Sequence, residues 1–352
     1  MSTWERLAEI EVEIADYELE GLELLVSSEF QRRTTIVRLR GSGLEGVGED
    51  VTYDPEDHEA LQAAGAVLPL AGSYTLRTFS EHVASLDLFP TTPQREVSRL
   101  YRRWAFESAA LDLALRQQGM QLQAALGREA QPVTFVVSTR LGEPPTLHPV
   151  ELRRAICPAL RFKLDATSSW DEQLIDELAR SGVVDSIDFK GLYVGTIVDQ
   201  GADPVLYARV VEAFPNAWLE DPALTPETDA ILEPHRDRVT WDAPIHSIAD
   251  IEALPFPPRM VNVKPSRIGG LQALLDLYDY CASKGIGAYG GGQMELGVGR
   301  GQIQHLASLF HPDTPNDIAP APFNHPEPPP GLPCSPLKPA PSATGFRWGE
   351  DQ

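Results

Sequence analysis

The chain has 352 residues, which is more than one typical domain and predicts two modules. Its 29 Lys and Arg against 51 Asp and Glu give a formal net charge of -22, which repels nucleic-acid phosphates and anionic lipid, so we expect neither as a partner. The sequence has no basic leader followed by an apolar run and no stretch of about 20 apolar residues, which predicts a soluble, cytoplasmic protein.

The first part of the chain has the pattern of an α+β module. Apolar and polar residues tend to alternate over residues 10–25 and again over 34–40, and turn residues follow at 41–43. This period of two predicts an antiparallel meander. Over residues 98–118, apolar or small residues recur on one face of a helix, and Gly119 is a plausible stop.

The rest of the chain alternates between strand and helix. Helical patterns occupy residues 171–180, 204–213 and 271–284. Eight strand candidates lie at residues 132–138, 160–164, 187–190, 217–220, 239–242, 261–264, 287–290 and 317–319. Strands that alternate with helices form a parallel sheet, and eight such units allow a closed (β/α)8 barrel.

The C-terminal tail and the cysteines carry weaker signals. Residues 320–341 are rich in proline and have no helical or strand period, while residues 345–348 are expected to add a short strand to the N-terminal module. Cys157, Cys281 and Cys334 are few, odd in number and without metal-site spacing. They are therefore predicted to be reduced, structural thiols.

Four predicted strands end on an ionisable residue. These residues are Asp188, Glu220, Asp242 and Lys264, which are 32, 22 and 22 positions apart. In a (β/α)8 barrel the carboxyl ends of all strands meet at one face, so these side chains are predicted to converge. Three carboxylates suit a hard divalent cation such as Mg²⁺. A single acid at a strand end more often caps a helix or pairs with an arginine, but three in this order with a lysine favour a site.

Four motifs make the chain resemble the enolase superfamily, most closely the muconate-lactonising enzyme subgroup. The segment around Lys264 is the most specific of them. They are Gly46-Val-Gly-Glu49, Phe106-Glu-Ser-Ala-Ala-Leu-Asp-Leu-Ala-Leu115, Asn262-Val-Lys-Pro-Ser-Arg-Ile-Gly-Gly270 and Gly291-Gly-Gln-Met-Glu-Leu-Gly-Val-Gly299. The resemblance implies a modified (β/α)8 TIM barrel over residues 129–334. It also implies an α+β capping domain over residues 1–128, completed by about 335–352.

The resemblance also implies the chemistry of the site. Asp188, Glu220 and Asp242 would hold one Mg²⁺ that binds a substrate carboxylate, and Lys264 would be the acid or base on one face of the substrate. The enzyme would remove the proton α to that carboxylate and form an enediolate. Epimerisation, cycloisomerisation and an o-succinylbenzoate-synthase-like elimination share this step, so the resemblance implies a lyase or isomerase without choosing among them.

The opposite face of the predicted site departs from the family pattern. Members of this subgroup usually carry Lys-x-Lys on the second strand, and this chain has Arg161-Phe-Lys-Leu-Asp165. Either Lys163 is the catalytic residue or Asp165 occupies its position. On the third strand, Lys190 stands where the family usually has Asn, so Lys190 is a further candidate acid or base, or else the partner of Asp165 in a salt bridge. The alternatives are an acid-sugar dehydratase that uses Lys190 and a non-catalytic relative.

Substrate contacts are predicted at Ser27, Phe30, Arg161, Ser266 and Glu295. Ser27 and Phe30 lie where the capping domain's specificity loop is expected, and Glu295 matches a glutamate common in the subgroup. A surface or helix-capping role for Glu295 stays open. The expected partner is a small carboxylate-containing substrate, and the resemblance allows a homo-oligomer.

Overall fold

The N-terminal part of the computed structural model contains two antiparallel sheets and four helices. The structure describes residues 2–27, 30–196 and 198–349. After a 3₁₀ turn at Trp4–Arg6, the elements are β1 (Glu11–Ile14), β2 (Asp16–Ser27), β3 (Phe30–Gly41), β4 (Leu44–Asp50), α1 (Pro55–Ala64), β5 (Gly72–Thr75), α2 (Leu76–Ser85), α3 (Ser98–Gln117) and α4 (Leu122–Leu126). Strands β2, β3 and β4 form the predicted meander, while β1 pairs with β5. The predicted helix and its stop at Gly119, where φ is 64°, are also confirmed.

Two glycines let α3 pack directly on β4. A Cβ added at Gly48 would lie 2.0 Å from the Ala105 carbonyl oxygen, and one added at Gly46 would lie 2.3 Å from that of Ala109. The helix and the sheet therefore approach backbone to backbone, which only glycine allows. The motif Gly46-Val-Gly-Glu49 thus has a packing role in the core.

The second part of the chain alternates strand and helix as predicted. Its strands are β6 (Val137–Thr139), β7 (Phe162–Asp165), β8 (Val184–Asp188), β9 (Trp218–Glu220), β10 (Val239–Thr240), β11 (Met260–Val263) and β12 (Gly287–Gly290). Its helices are α5 (His148–Ile156), α6 (Glu172–Ser181), α7 (Pro204–Ala213), α8 (Pro226–Leu232), α9 (Ile248–Glu252), α10 (Pro265–Ile268), α11 (Leu271–Lys284) and α12 (Val298–Phe310), with 3₁₀ segments at Glu233–Arg238 and Ala321–Asn324. No helix in the described ranges is long and apolar enough to cross a membrane.

The ring of strands closes through single bridges. Strands β6 to β10 form one parallel sheet in chain order, and β11 and β12 form a parallel pair. Parallel bridges join the pair to the sheet on both sides: Trp241 to Val261 on one side, and Gly291 to Asp317 with Asn316 to Phe135 on the other. The eighth predicted strand is thus reduced to bridging residues. The predicted (β/α)8 barrel with an α+β N-terminal module is confirmed.

The tail folds back on the barrel, and the prediction of reduced thiols is wrong for two of the three cysteines. Cys157, at the end of α5, forms a disulfide with Cys334, and their Cα atoms are 5.8 Å apart. The two residues are 177 positions apart, so only the return path of the tail brings them together. Cys281 is free and buried. In place of the strand expected at 345–348, the described tail forms isolated bridges, including one from Gly345 to Gln121.

Candidate active site

Three carboxylates lie together at the carboxyl ends of β8 and β9. Asp188 and Glu220 end these strands, pair in register and are fully buried. Asp221 follows in a left-handed backbone conformation with φ of 47°, which turns its carboxylate back beside them. Among the described residues, Asp188, Glu220 and Asp221 each offer a ligand oxygen within 4.8 Å of the others. Burial raises the pKa of Asp221 to about 7, and the neighbouring Asp242 and Asp188 add to this shift.

Asp242 is buried and is held by cationic and hydroxyl groups. Its Oδ2 accepts hydrogen bonds from Lys264 Nζ at 2.8 Å and from the Tyr193 hydroxyl at 2.8 Å, and its Oδ1 lies 2.7 Å from an Arg267 guanidinium nitrogen. Burial would raise the pKa of Asp242, but Arg267 and Lys264 outweigh it and hold that pKa well below its usual range. The group of three close carboxylates therefore contains two of the three predicted metal ligands, and the role of Asp242 stays a prediction.

Lys163 lies inside the barrel against the carboxylates. Its side chain is buried, and its Nζ contacts Glu220, lies 3.0 Å from Asp188 Oδ2 and lies 3.5 Å from Asp317 Oδ2. Burial would lower the pKa of Lys163, but the carboxylates of Asp188 and Glu220 outweigh it and raise that pKa. The other oxygen of Glu220 accepts a hydrogen bond from the Tyr289 hydroxyl.

Lys264 lies across the ring from Lys163. The two residues come from the second and sixth strand positions of eight, which are opposite each other, and their ammonium groups contact different carboxylates. Burial lowers the pKa of Lys264, and Arg267 and Lys163 act in the same direction against the opposing effect of Asp242. The site therefore contains two lysines that face one carboxylate cluster.

Lys190 forms two hydrogen bonds with the Asp188 carboxylate. With φ of 53°, its backbone N–H donates to Asp188 Oδ1 at 2.9 Å, while its Nζ donates to Asp188 Oδ2. The same Nζ lies 3.6 Å from Asp165 Oδ1, and Asp165 Oδ2 accepts a hydrogen bond from Arg140 Nε at 2.9 Å. The ion pair between Lys190 and Asp165, which was the alternative to an acid or base role for Lys190, is therefore present, and the catalytic role of Lys190 stays a prediction.

Among the predicted substrate contacts, Arg161 is not brought to this cluster. Its guanidinium pairs with Asp185 and donates to the Gly182 carbonyl oxygen, and the side chain is 45% exposed. Arg161 precedes β7, which begins at Phe162, and its ion pair with Asp185 of β8 holds the guanidinium at the opposite end of these strands from the carboxylate cluster.

Ser266 and Glu295 are buried, and Ser266 Oγ has no hydrogen-bond partner among the described residues. Glu295 accepts a hydrogen bond from the Gln293 backbone N–H at 2.5 Å and pairs with Arg300 at 3.0 Å. The Ser27 and Phe30 side chains lie outside what the structure describes. Substrate contact by these four residues stays a prediction.

The N-terminal module holds the glycine-rich loop through Glu49. This buried side chain at the end of β4 accepts hydrogen bonds from the backbone N–H groups of Leu296 at 2.7 Å, Gly297 at 3.0 and 3.1 Å and Gly299 at 2.8 Å. These groups lie at the start of α12, where free N–H groups favour a negative partner. Glu49 thus caps a barrel helix from the other module.

Sequence reasoning missed four residues that shape the cluster. Asp221 directly follows Glu220, and a regular strand would have turned it to the other face. Arg267 lies within the motif Asn262–Gly270, three positions after Lys264, and its positive charge could have marked it as a residue of the site. Tyr193 and Tyr289 gave no signal in the sequence, because a tyrosine near a strand end is most often part of the core.

The donor set fits a hard divalent cation. Asp188, Glu220 and Asp221 supply only carboxylate oxygens, which are the ligands that Mg²⁺ takes in proteins. The contacts of Lys163 with two of these carboxylates show that positive charge is stabilised at this position.

Two family models match nearly the whole chain. They are described as the N-terminal and C-terminal domains of a "Domain of unknown function (DUF8230)" and match residues 5–125 and 129–325.

Relatives with a described activity are more distant. An o-succinylbenzoate synthase from Geobacillus stearothermophilus is 29% identical over 225 residues, which are 61% of this chain and 58% of that enzyme, so the match spans less than two thirds of its length. An N-succinylamino acid racemase from Thermus thermophilus is 28% identical over 316 residues, which are 83% of this chain and 79% of that enzyme.

Solved structures share the fold. A member of the enolase superfamily from Listeria innocua superposes with a TM-score of 0.62 at 17% identity and covers 88% of this chain and 86% of its own. A dipeptide epimerase from Methylococcus capsulatus, complexed with Mg ion, gives a TM-score of 0.63 at 21% identity and covers 86% and 89%. The chain therefore belongs to the DUF8230 family, and it shares its fold with solved structures of the enolase superfamily.

Proposed function

We propose that the chain is a Mg²⁺-dependent enzyme that removes the proton α to a carboxylate of a small substrate. The observation that carries the proposal is the placement of Lys163 and Lys264 on opposite sides of a buried carboxylate cluster. The described relatives and structural neighbours include a synthase, a racemase and an epimerase. The chain is accordingly a lyase or isomerase.

In the proposed reaction, Asp188, Glu220 and the predicted third ligand Asp242 would hold the metal ion. Asp221, whose two oxygens accept hydrogen bonds from the backbone N–H groups of Asp242 and Ala243, would position Asp242 beside them. When bound, Mg²⁺ supplies positive charge beside the substrate carboxylate, whose oxygens gain negative charge as the α-proton leaves. By holding the ion, these carboxylates would fix where the substrate carboxylate lies relative to the two lysines. A water-poor barrel mouth strengthens every charge interaction in this step.

Lys264 takes the α-proton, and Lys163 serves the opposite face. A general base must lie within hydrogen-bonding reach of the proton that it removes, and the barrel presents one lysine amine on each side of the cluster. Return of a proton from Lys163 inverts the α-carbon and completes an epimerisation. Loss of a β-substituent after the first step gives an elimination instead, for which Lys264 alone suffices.

Proton exchange in D₂O tests this proposal. We would incubate the protein with Mg²⁺ and a panel of N-acyl amino acids, dipeptides and acid sugars and follow the α-proton signal by NMR. Wild type should exchange at least one compound, and Lys264→Ala should lower the rate by at least about 100-fold, in line with loss of a general base. Lys284→Ala, at the end of α11, is the matched control.

Two outcomes would contradict the proposal. Exchange that survives Lys264→Ala would refute the assignment of the base. No exchange by wild type over a broad panel would favour the non-catalytic relative. The acid sugars test the dehydratase alternative, because Lys190 lies at the cluster: product from an acid sugar that is lost in Lys190→Asn would support it.

A further inference from the structure

Carboxylates of the cluster are already paired with cationic side chains in the absence of a metal ion. At the centre of the cluster, four buried carboxylates lie among four cationic side chains, which are Asp188, Glu220, Asp221 and Asp242 with Lys163, Lys190, Lys264 and Arg267. Asp317 and Asp165 pair with Lys163 and Lys190 from the edge of the cluster, and Arg140 pairs with Asp165. A divalent cation that enters the cluster must therefore compete with these ammonium groups for carboxylate oxygens, and repulsion between like charges favours withdrawal of one of them.

Lys190 holds both oxygens of a predicted metal ligand. Its backbone N–H donates to Asp188 Oδ1 and its Nζ donates to Asp188 Oδ2, an arrangement that its left-handed backbone makes possible. Lys163 Nζ lies 3.0 Å from the same Oδ2. A cation that binds Asp188 Oδ2 must therefore share this oxygen with two ammonium groups or displace one.

Lys190 can move its ammonium group to a second carboxylate, whereas Lys163 cannot. Asp165 Oδ1 lies 3.6 Å from Lys190 Nζ and accepts no hydrogen bond from the described residues, while Asp165 Oδ2 is already held by Arg140. A small side-chain rotation would give Lys190 a full hydrogen bond to Asp165. Lys163 is enclosed by Asp188, Glu220 and Asp317.

We propose that Lys190 is a built-in counter-ion that lowers the affinity of the site for Mg²⁺ and moves from Asp188 to Asp165 when the ion binds. Lys190 is thus a positioning residue that acts through Asp188. The inference rests on the proposed Mg²⁺-dependent function.

Calorimetric titration of MgCl₂ into the metal-free, full-length protein tests the inference without any turnover. Lys190→Asn removes the charge and keeps a residue that tolerates positive φ. It should bind Mg²⁺ at least about tenfold more tightly than wild type, since a like charge near the ion is lost. Lys190→Arg keeps the charge and should stay within about threefold of wild type. Asp165→Asn removes the negative charge of the second acceptor and should weaken binding by about threefold or more.

Lys338→Asn, in the exposed tail, makes the same change of charge away from the cluster and is the matched control. Equal or weaker Mg²⁺ binding by Lys190→Asn would overturn the inference, as would an equal gain in Lys338→Asn. Unchanged affinity in Asp165→Asn would overturn the role of Asp165. Circular dichroism of each metal-free variant verifies folding.

Failure of the inference and failure of the proposed function are separable. If wild type binds Mg²⁺ and exchanges the α-proton while Lys190→Asn binds no tighter, only the inference falls. If Lys190→Asn binds Mg²⁺ tightly and wild type neither binds Mg²⁺ nor exchanges, the inference stands and the proposed function of the natural chain falls. Absence of binding in every variant overturns both.

Discussion

Glu49 joins the two modules, and its replacement should destabilise the whole chain. Its carboxylate accepts hydrogen bonds from three backbone N–H groups at the start of α12, on Leu296, Gly297 and Gly299. Glu49→Ala leaves these donors without their acceptor in a buried place. Glu49→Gln retains one acceptor oxygen and turns an amide N–H₂ toward the remaining donors.

The contacts set the size of the effect. A hydrogen bond to a charged group contributes about 1.5 to 3 kcal/mol, so three of them give about 4.5 to 9 kcal/mol. Burial raises the pKa of Glu49, and nearby Glu295 adds to this, so the charged carboxylate carries a cost that reduces the net loss. We expect Glu49→Ala to lower the free energy of unfolding by about 3 to 5 kcal/mol, and Glu49→Gln by less.

Differential scanning calorimetry measures this loss. With an unfolding entropy of about 2.1 cal/mol/K per residue, a chain of 352 residues shifts in Tm by about 1.4 °C per kcal/mol, so Glu49→Ala should melt about 4 to 7 °C lower. Glu45→Ala is the control, because this partly exposed side chain on the same strand forms surface ion pairs with Arg38 and Arg40 among the described residues. A shift within about 1 °C of the control would refute the capping role.

Two further predictions concern stability. Burial lowers the pKa of His311 to about 4, so the unfolded chain takes up a proton near pH 6.5 and the folded chain only near pH 4. The free energy of unfolding should therefore fall as pH decreases from about 6.5 to about 4, by about 3 kcal/mol more in wild type than in His311→Gln. Urea unfolding at several pH values measures this fall, and an equal fall in the two proteins would refute the prediction. Gly48→Ala places a Cβ 2.0 Å from the Ala105 carbonyl oxygen and should cost about 2 kcal/mol or more, whereas Gly201→Ala, which meets nothing within 4 Å, should not; equal Tm values would contradict the packing argument.

The strand-ending acids could be predicted because a regular strand fixes where its last residue points. Asp188 and Glu220 end β8 and β9 in register, as the spacing of the pattern implied. Asp221 and Lys190 have positive φ, and a non-glycine residue in that conformation cannot be foreseen from residue type alone. The side of the site that departs from the family pattern is thus also the side where the backbone departs from regular strand geometry.

Contacts between residues far apart in the sequence could not be predicted either. The pairing of Cys157 with Cys334 depends on the path of a proline-rich tail that has no periodic pattern. Glu49 belongs to the motif Gly46-Val-Gly-Glu49, but its role as a hydrogen-bond acceptor depends on a helix about 250 positions later in the chain. Both contacts require the relative placement of elements that no local pattern encodes.

The isolated bridges that close the barrel separate two groups of residues in the carboxylate cluster. Asp188 and Glu220 belong to the five-stranded sheet, while Lys264 follows β11 of the separate pair, and the bridge from Trp241 to Val261 lies between them. A joint of one bridge resists shear less than a ladder of several. The ion pairs of Asp242 with Lys264 and Arg267 span this joint, because Asp242 follows β10 while both cationic residues follow β11. The proposed base is thus tied to the five-stranded sheet by side-chain charge where the backbone ladder is reduced to one bridge.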